Sequence, residues 1–163
     1  MSTPEELGTL ELIYQELLKR WPETRLEPSM DRIAALVDAL GSPQTTYPVV
    51  HIAGTNGKTT TSRMVDSLFT ELGYRTGRYT SPHLESFLER ISIKGEPITP
   101  EGMIATYNDI ALYFDLIDSR QPHPISFFEA MTALAFVAFA EYPIDIAVIE
   151  TGMGAFLFLA TNE

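Results

Sequence analysis

Val49-Val50-His51-Ile52-Ala53-Gly54-Thr55-Asn56-Gly57-Lys58-Thr59-Thr60-Thr61 is the stretch on which the reading of this chain turns. The β-branched run Val49, Val50, Ile52 predicts a short strand. Gly54 and Gly57 punctuate a loop, and Lys58 with the threonines opens a segment of helical periodicity. Strand, glycine loop and helix in that order suit a polyphosphate. Glycines let the backbone approach closely and turn its N–H groups inward, and a helix start offers unpaired donors at a positive dipole end. On this reading Lys58 reaches the β/γ-phosphates and the hydroxyl of Thr59 or Thr60 holds Mg²⁺. The strict pattern G-x-x-x-x-G-K-[ST] is not met, because Ile52 stands five before Gly57 and the first loop glycine is Gly54. A plain glycine turn with a solvated lysine is the competing reading. Threonines crowded at a helix start argue against it.

Upstream, Thr3-Pro4-Glu5-Glu6 is a helix-start signature, with a threonine cap, proline in the first turn and glutamate three after the cap. Leu10, Ile13, Tyr14 and Leu17 recur at helical spacing, and Trp21-Pro22 stops that helix near Lys19. Ser29 is expected to cap a second helix whose buried face is Ile33, Leu36, Val37 and Leu40, ended by Gly41. Downstream, Val65, Leu68, Phe69 and Leu72 are expected to form the core stripe of the helix after the glycine loop, closed by Gly73. Tyr74 to Thr80 reads as a second strand, broken at Ser81-Pro82. Leu88 to Lys94 reads as a further strand, at an edge or in a hairpin, with Lys94-Gly95 as its turn. Thr99-Pro100-Glu101 starts a helix carrying Met103, Tyr107, Ile110, Phe114 and Ile117. Ser126 and Glu129 form a capping box for another, which runs to about Glu141 and is apolar nearly all round, implying burial on several sides. Ile144 to Ile149 is a strand and Gly152-Met153-Gly154 a turn.

Strands alternating with helices predict an α/β fold, a mainly parallel sheet flanked by helices with an N-terminal helical segment. Ligands in such sheets sit beyond the carboxyl ends of strands, where Gly54, Ser81 and Glu150 all fall. Ile144-Asp145-Ile146-Ala147-Val148-Ile149-Glu150 is a buried strand closing on one carboxylate, a placement in which an acid meets Mg²⁺ opposite a phosphate loop. Its plainer role is a turn or capping acid. Ser81 and His83, judged alone, read as turn chemistry and a surface loop histidine, and His51 as a satisfied core histidine. Ser126, Phe128 and Glu129 have a sufficient account as cap and core.

Composition narrows the function classes. The 163 residues are 45% hydrophobic and 20% charged, ordinary for one globular domain with a real core. A net charge of −11 argues against nucleic acid or an anionic membrane as partner, so a phosphate must be held by local donors. The absence of cysteine rules out a disulfide scaffold and a Cys-ligated metal, and three isolated histidines give no zinc site. The acidic N-terminus lacks the layout of a signal peptide and no apolar run approaches a membrane span, which reads as a cytoplasmic protein.

Ala53-Gly54-Thr55-Asn56-Gly57-Lys58-Thr59-Thr60 resembles the nucleotide loop of the Mur ligase superfamily of ATP-dependent amide-forming ligases. Thr80-Ser81-Pro82-His83-Leu84, the run Phe128 to Phe136 (F-E-A-M-T-A-L-A-F) and Glu150-Thr151-Gly152-Met153-Gly154 narrow the resemblance to the folylpolyglutamate synthase/dihydrofolate synthase branch. The resemblance implies ATP and Mg²⁺ as cofactors. It implies folate or dihydropteroate and L-glutamate as substrates, and an acyl phosphate formed before the glutamate amine attacks. It places ATP on Gly54, Thr55, Asn56, Gly57, Lys58, Thr59 and Thr60, with Lys58 catalytic. Thr59, Ser81 and Glu150 fall to Mg²⁺. The pterin falls to Arg32, Ser81, His83, Phe128 and Glu129, with the segment Leu26 to Arg32 lining its pocket. A Mur-type cell-wall ligase, or a fragment that binds nucleotide without catalysis, is the alternative.

After Gly154 the chain departs from the family's polar continuation and reads Ala155-Phe156-Leu157-Phe158-Leu159 before Ala160-Thr161-Asn162. The expectation is a single partial ATP-binding domain over 1–163: a helical lead-in at 1–47, a phosphate-loop core at 48–154 and an apolar tail at 155–163. It is expected to be monomeric, to lack the family's C-terminal domain and to be inactive by itself.

Overall fold

The computed structural model describes residues 3–22 and 30–152. The expected cap Ser29, most of the segment Leu26 to Arg32, the turn at Met153-Gly154 and the tail 155–163 lie outside the described residues. The chain divides into two compact units, Met1–Ser42 with Thr99–Ala138, and Pro43–Ile98 with Phe139–Glu163.

The first unit is helical. Helix α1, Pro4–Leu18, begins as its sequence dictates: the Thr3 N–H donates to Glu6 Oε2 (2.6 Å) and the Glu6 N–H to Thr3 Oγ1 (3.2 Å), a reciprocal capping box. Leu10, Ile13 and Leu17 are buried. Helix α2, Asp31–Ala39, buries Ile33, Leu36 and Val37, while Leu40 is half-buried. Its N-cap is Met30, which makes no side-chain capping bond. Gly41 ends it at φ +79°, the left-handed conformation that only glycine adopts without strain. Helix α4, Pro100–Asp118, is capped by the Thr99 hydroxyl, which accepts from the Gly102 N–H at 3.1 Å. Helix α5 spans Phe127–Glu141, and every residue from Glu129 to Phe139 is buried. Arg20 locks this unit. Its Nη1 donates to Asp118 Oδ2 (2.9 Å) and to the Ile125 carbonyl (3.3 Å), and its guanidinium lies 4.7 Å from the centre of the Phe114 ring.

The second unit holds the sheet, in the order β1-β5-β2-β3-β4. Strand β1 (Val49–Ile52) pairs in parallel with β5 (Ile146–Glu150), and β5 in parallel with β2 (Thr76–Tyr79). Strand β3 (Ile91–Ile93) runs antiparallel to β2, and β4 (Glu96–Pro97) closes a hairpin on it. Lys94 and Gly95, at φ +53° and +82°, make the hairpin turn foreseen at that dipeptide. The sheet is mainly parallel, as predicted, and within its unit helix packing comes from the crossover helix after β1. Helix α3 (Lys58–Glu71) connects β1 to β2.

Four expectations are corrected. Strand β2 starts at Thr76, because Tyr74 and Arg75 lie in the exposed turn after Gly73, whose φ is +89°. Leu88 to Arg90 belong to a 3-10 turn, Phe87–Arg90: the Glu89 carboxylate accepts from the Ser86 N–H at 2.9 Å, and that local cap outcompetes strand pairing. His51 is half-buried in an edge strand and not a satisfied core histidine, since its Nε2 has no hydrogen-bond partner among the described residues. Most consequential, α3 does not bury the stripe its apolar residues suggest. Of the four expected residues Val65 and Phe69 are half-buried, Leu68 and Leu72 are 64% and 72% exposed, and the buried residues of the helix are Ser62 and Asp66. The sheet face beneath it carries Thr76 and Arg78, which demand polar partners.

Candidate functional site

Three parallel strands leave the sheet at one edge. Register sets Ile52 beside Glu150 and Tyr79 beside Ile149, so the segments after β1, β5 and β2 emerge together. Glu150 closes β5 there, and the segments after β1 and β2 carry Gly54 and Ser81. A parallel sheet imposes this convergence, because every strand of one direction releases its chain at the same side.

Between β1 and α3 the loop Ala53–Gly57 is exposed. Gly57 is the residue that launches the helix, at φ +73°. A Cβ there would meet nothing within 4 Å, so the backbone conformation and not crowding calls for glycine. The first hydrogen bond of the helix runs from the Thr61 N–H to the Gly57 carbonyl at 2.9 Å. The amides of Lys58, Thr59 and Thr60 therefore precede the intrahelical ladder and point out of the helix start. Lys58 Nζ donates to the Gly54 carbonyl at 2.9 Å, so its cation is folded back over the loop.

Thr59 and Glu150 meet. The Thr59 hydroxyl is 2.9 Å from Glu150 Oε2 and 3.1 Å from Oε1. Glu150 is only 2% exposed, yet its hydrogen-bond partner among the described residues is this one neutral hydroxyl. A buried carboxylate balanced by a single neutral donor is under-compensated and invites a cation. The donors are a hydroxyl and a carboxylate, hard oxygens of the kind Mg²⁺ takes in small number when phosphate oxygens and water complete its octahedron. No group of three or more His, Asp or Glu side chains among the described residues could hold a metal by itself.

Ser81 is half-buried two residues beyond β2, and the Ser81–Pro82 peptide is cis. His83 Nδ1 accepts from Arg90 Nε at 2.8 Å, which directs that ring nitrogen to a buried guanidinium. Thr151 returns to β1, its N–H donating to the Ile52 carbonyl at 3.0 Å. Burial pushes the His51 imidazole below its ordinary value, so the ring is uncharged at neutral pH.

The remaining predicted residues lie in the helical unit. Arg32 Nε is 3.1 Å and 3.2 Å from the two Glu129 oxygens, and both side chains are nearly buried. Glu129 Oε2 also accepts from the Ser126 N–H (2.7 Å), and Ser126 Oγ from the Glu129 N–H (3.2 Å). Phe128 is half-buried. Arg32 and Glu129 thus come together as a partner pair, with a partly exposed aromatic ring next in sequence. Sequence reasoning did not single out Asp66, Arg78 or Arg90, all buried. The available signal was a charge set inside an otherwise apolar or strand-forming run, which periodicity treats as noise.

A glycine loop between a strand and a helix, with a buried carboxylate closing the neighbouring parallel strand, defines a phosphate-loop α/β protein. No protein-family model matches the chain. Among curated proteins it is 54% identical, over 159 residues, to a dihydrofolate synthase/folylpolyglutamate synthase of Mycobacterium tuberculosis, covering 93% of this chain and 33% of that one. Among solved structures it superposes on Mycobacterium tuberculosis folylpolyglutamate synthase complexed with ADP at a TM-score of 0.85 and 53% identity, over 91% of this chain and 33% of that one. It superposes also on an FPGS–AMPPCP–folate complex at a TM-score of 0.79 and 30% identity, over 92% and 36%. The chain spans about one third of the length of the curated relatives it matches. Within that span it belongs to the dihydrofolate synthase/folylpolyglutamate synthase family and corresponds to its N-terminal portion.

Proposed function

We propose that this chain carries the Mg²⁺–ATP site, and part of the pterin site, of an ATP-dependent ligase that joins L-glutamate to folate or dihydropteroate in the cytoplasm, through an acyl phosphate. The observation that carries this is the buried Glu150 carboxylate held against the first-turn hydroxyl of Thr59. Relatives solved with ADP, and with AMPPCP and folate, support it.

On this reading Gly54, Thr55, Asn56 and Gly57 wrap the phosphates with backbone amides, and those of Lys58, Thr59 and Thr60 receive the terminal oxygens. Lys58 leaves the Gly54 carbonyl for the γ-phosphate and offsets charge as two anions approach. Thr59, Glu150 and Ser81 hold Mg²⁺, which when bound supplies further charge neutralisation at the transferred phosphoryl group. Arg32, Phe128 and Glu129, with Ser81 and His83, are assigned to the pterin, for which a half-buried ring and a carboxylate are suitable contacts.

Calorimetric titration of the chain with Mg²⁺–ATP tests the nucleotide site. We expect saturable binding that Glu150→Gln and Lys58→Ala each weaken by about tenfold or more. Equal affinity in all three proteins would overturn the assignment. In an enzyme of the relatives' full length, Lys58→Ala is expected to abolish folate- and glutamate-dependent ADP release.

A further inference from the structure

Helix α3 meets the sheet through a mainly polar stripe, with Val65 and Phe69 half-buried at its margin. Met64, Leu68 and Leu72 are 63%, 64% and 72% exposed, whereas Ser62 and Asp66 are 0% and 4% exposed against the sheet. Burial of apolar area is ordinarily what orients a helix on a sheet. Here it would favour rolling α3 toward Leu68 by about 110°, the angle at about 100° per residue between the Ser62–Asp66 stripe and the centre of the apolar face Met64, Val65, Leu68, Phe69 and Leu72.

The groups opposing that roll are polar. Asp66 Oδ2 accepts from Arg78 Nε at 2.9 Å, Arg78 Nη2 donates to Ser92 Oγ at 2.8 Å, and the Thr70 and Thr76 hydroxyls meet at 3.1 Å. Arg78 is 8% exposed, so a rolled α3 would strand its guanidinium without a counter-charge, a heavily disfavoured state. Thr59 lies on the same stripe as Ser62, Asp66 and Thr70, at spacings of three and four. The roll that Asp66 sets is therefore the roll that aims Thr59 at Glu150.

We infer that Asp66 and Arg78 are positioning residues for the phosphate loop: their ion pair fixes the rotation of α3 against its own hydrophobic preference and so holds Thr59 and Lys58 in register with Glu150. The inference rests on the nucleotide reading of that loop, but the rotation can be measured without nucleotide. The chain has no cysteine, so one engineered thiol reports on one face. Met64→Cys and Ser62→Cys are each placed in the otherwise unchanged chain, in Asp66→Leu/Arg78→Met, which removes both charges together, and in Asp66→Asn, which keeps the shape.

Maleimide labelling in the unchanged background should be much faster at position 64 than at 62. In the apolar double variant, with far-UV circular dichroism retained, the ratio should fall by about tenfold or invert, and Mg²⁺–ATP affinity should fall by about tenfold or more. Asp66→Asn should move both readouts in the same direction, less far, and it decides the matter where the double variant does not fold. An unchanged labelling ratio in a folded variant overturns the inference. So does a changed ratio with unchanged nucleotide affinity, which would leave the pair a structural role alone. Failure of the unchanged chain to bind Mg²⁺–ATP would instead refute the site reading beneath it, while the labelling ratio still reports the roll.

Discussion

Gly77 owes its identity to Phe139. A Cβ at this β2 position would lie 2.7 Å from Phe139 Cδ1 and 2.9 Å from Ile144 Cδ1, both packed onto the strand backbone. Gly77→Ala is expected to destabilise the protein by about 1–3 kcal/mol through overpacking, read from the urea midpoint. Two residues earlier, at the start of the same strand pair, Arg75 grips Asp145 through Nε (3.0 Å) and Nη2 (2.7 Å), and its N–H adds a third bond at 2.7 Å. These bonds hold the Asp145 carboxyl down at about 2, below its ordinary 3.8. A carboxyl lowered by folding contributes stability that is complete above its unfolded value and lost as pH falls through its folded one. Asp145→Asn should therefore flatten the decline of Tm between about pH 4 and pH 2, by an amount that shrinks with salt because the pair is exposed. The Arg32–Glu129 pair is the buried counterpart. Arg32→Met alone should cost about 3 kcal/mol by leaving the Glu129 carboxylate without a counter-charge, whereas Arg32→Met with Glu129→Leu should recover part of that loss in the same denaturation measurement.

Elements with their own punctuation were legible in the sequence. Helix α1 starts where Thr3, Pro4 and Glu6 say it must, and α4 and α5 start at their capping residues. Capping is satisfied by side chains within a few residues, so local sequence contains the whole interaction. Thr99→Ala is expected to cost about 1 kcal/mol, measured by thermal unfolding, because the Gly102 N–H loses its acceptor. The short 3-10 turn at Phe87–Arg90 escaped because alternation and a local cap compete over the same four residues. Helix α3 escaped for a different reason. Apolar periodicity identifies a helix and its two faces, but names the inner face only where hydrophobic burial decides it. Here a charge on β2 decides it instead.

Across the whole molecule, the region after Gly54, Ser81 and Glu150 gathers at one sheet edge from stretches far apart in sequence. A ligand bound there should stabilise the native chain by mass action, and Mg²⁺–ATP at about a hundred times its Kd is expected to add about 2.7 kcal/mol to unfolding. Glu150→Gln, with binding weakened about tenfold, should cut that gain to about 1.4 kcal/mol at the same nucleotide concentration in a thermal-shift series. By itself the sequence determined the α/β class, the strand–glycine loop–helix unit and the acid closing β5, since each follows from periodicity, turn residues and caps acting over a few positions. Only the tertiary structure decided that β5 lies between β1 and β2, that Thr59 touches Glu150, that Arg32 pairs with Glu129 and that α3 turns its polar stripe inward. The physical reason is the same in each case. Strand order and buried charge pairing join residues up to 98 positions apart, and no local pattern encodes which distant partner satisfies a buried polar group.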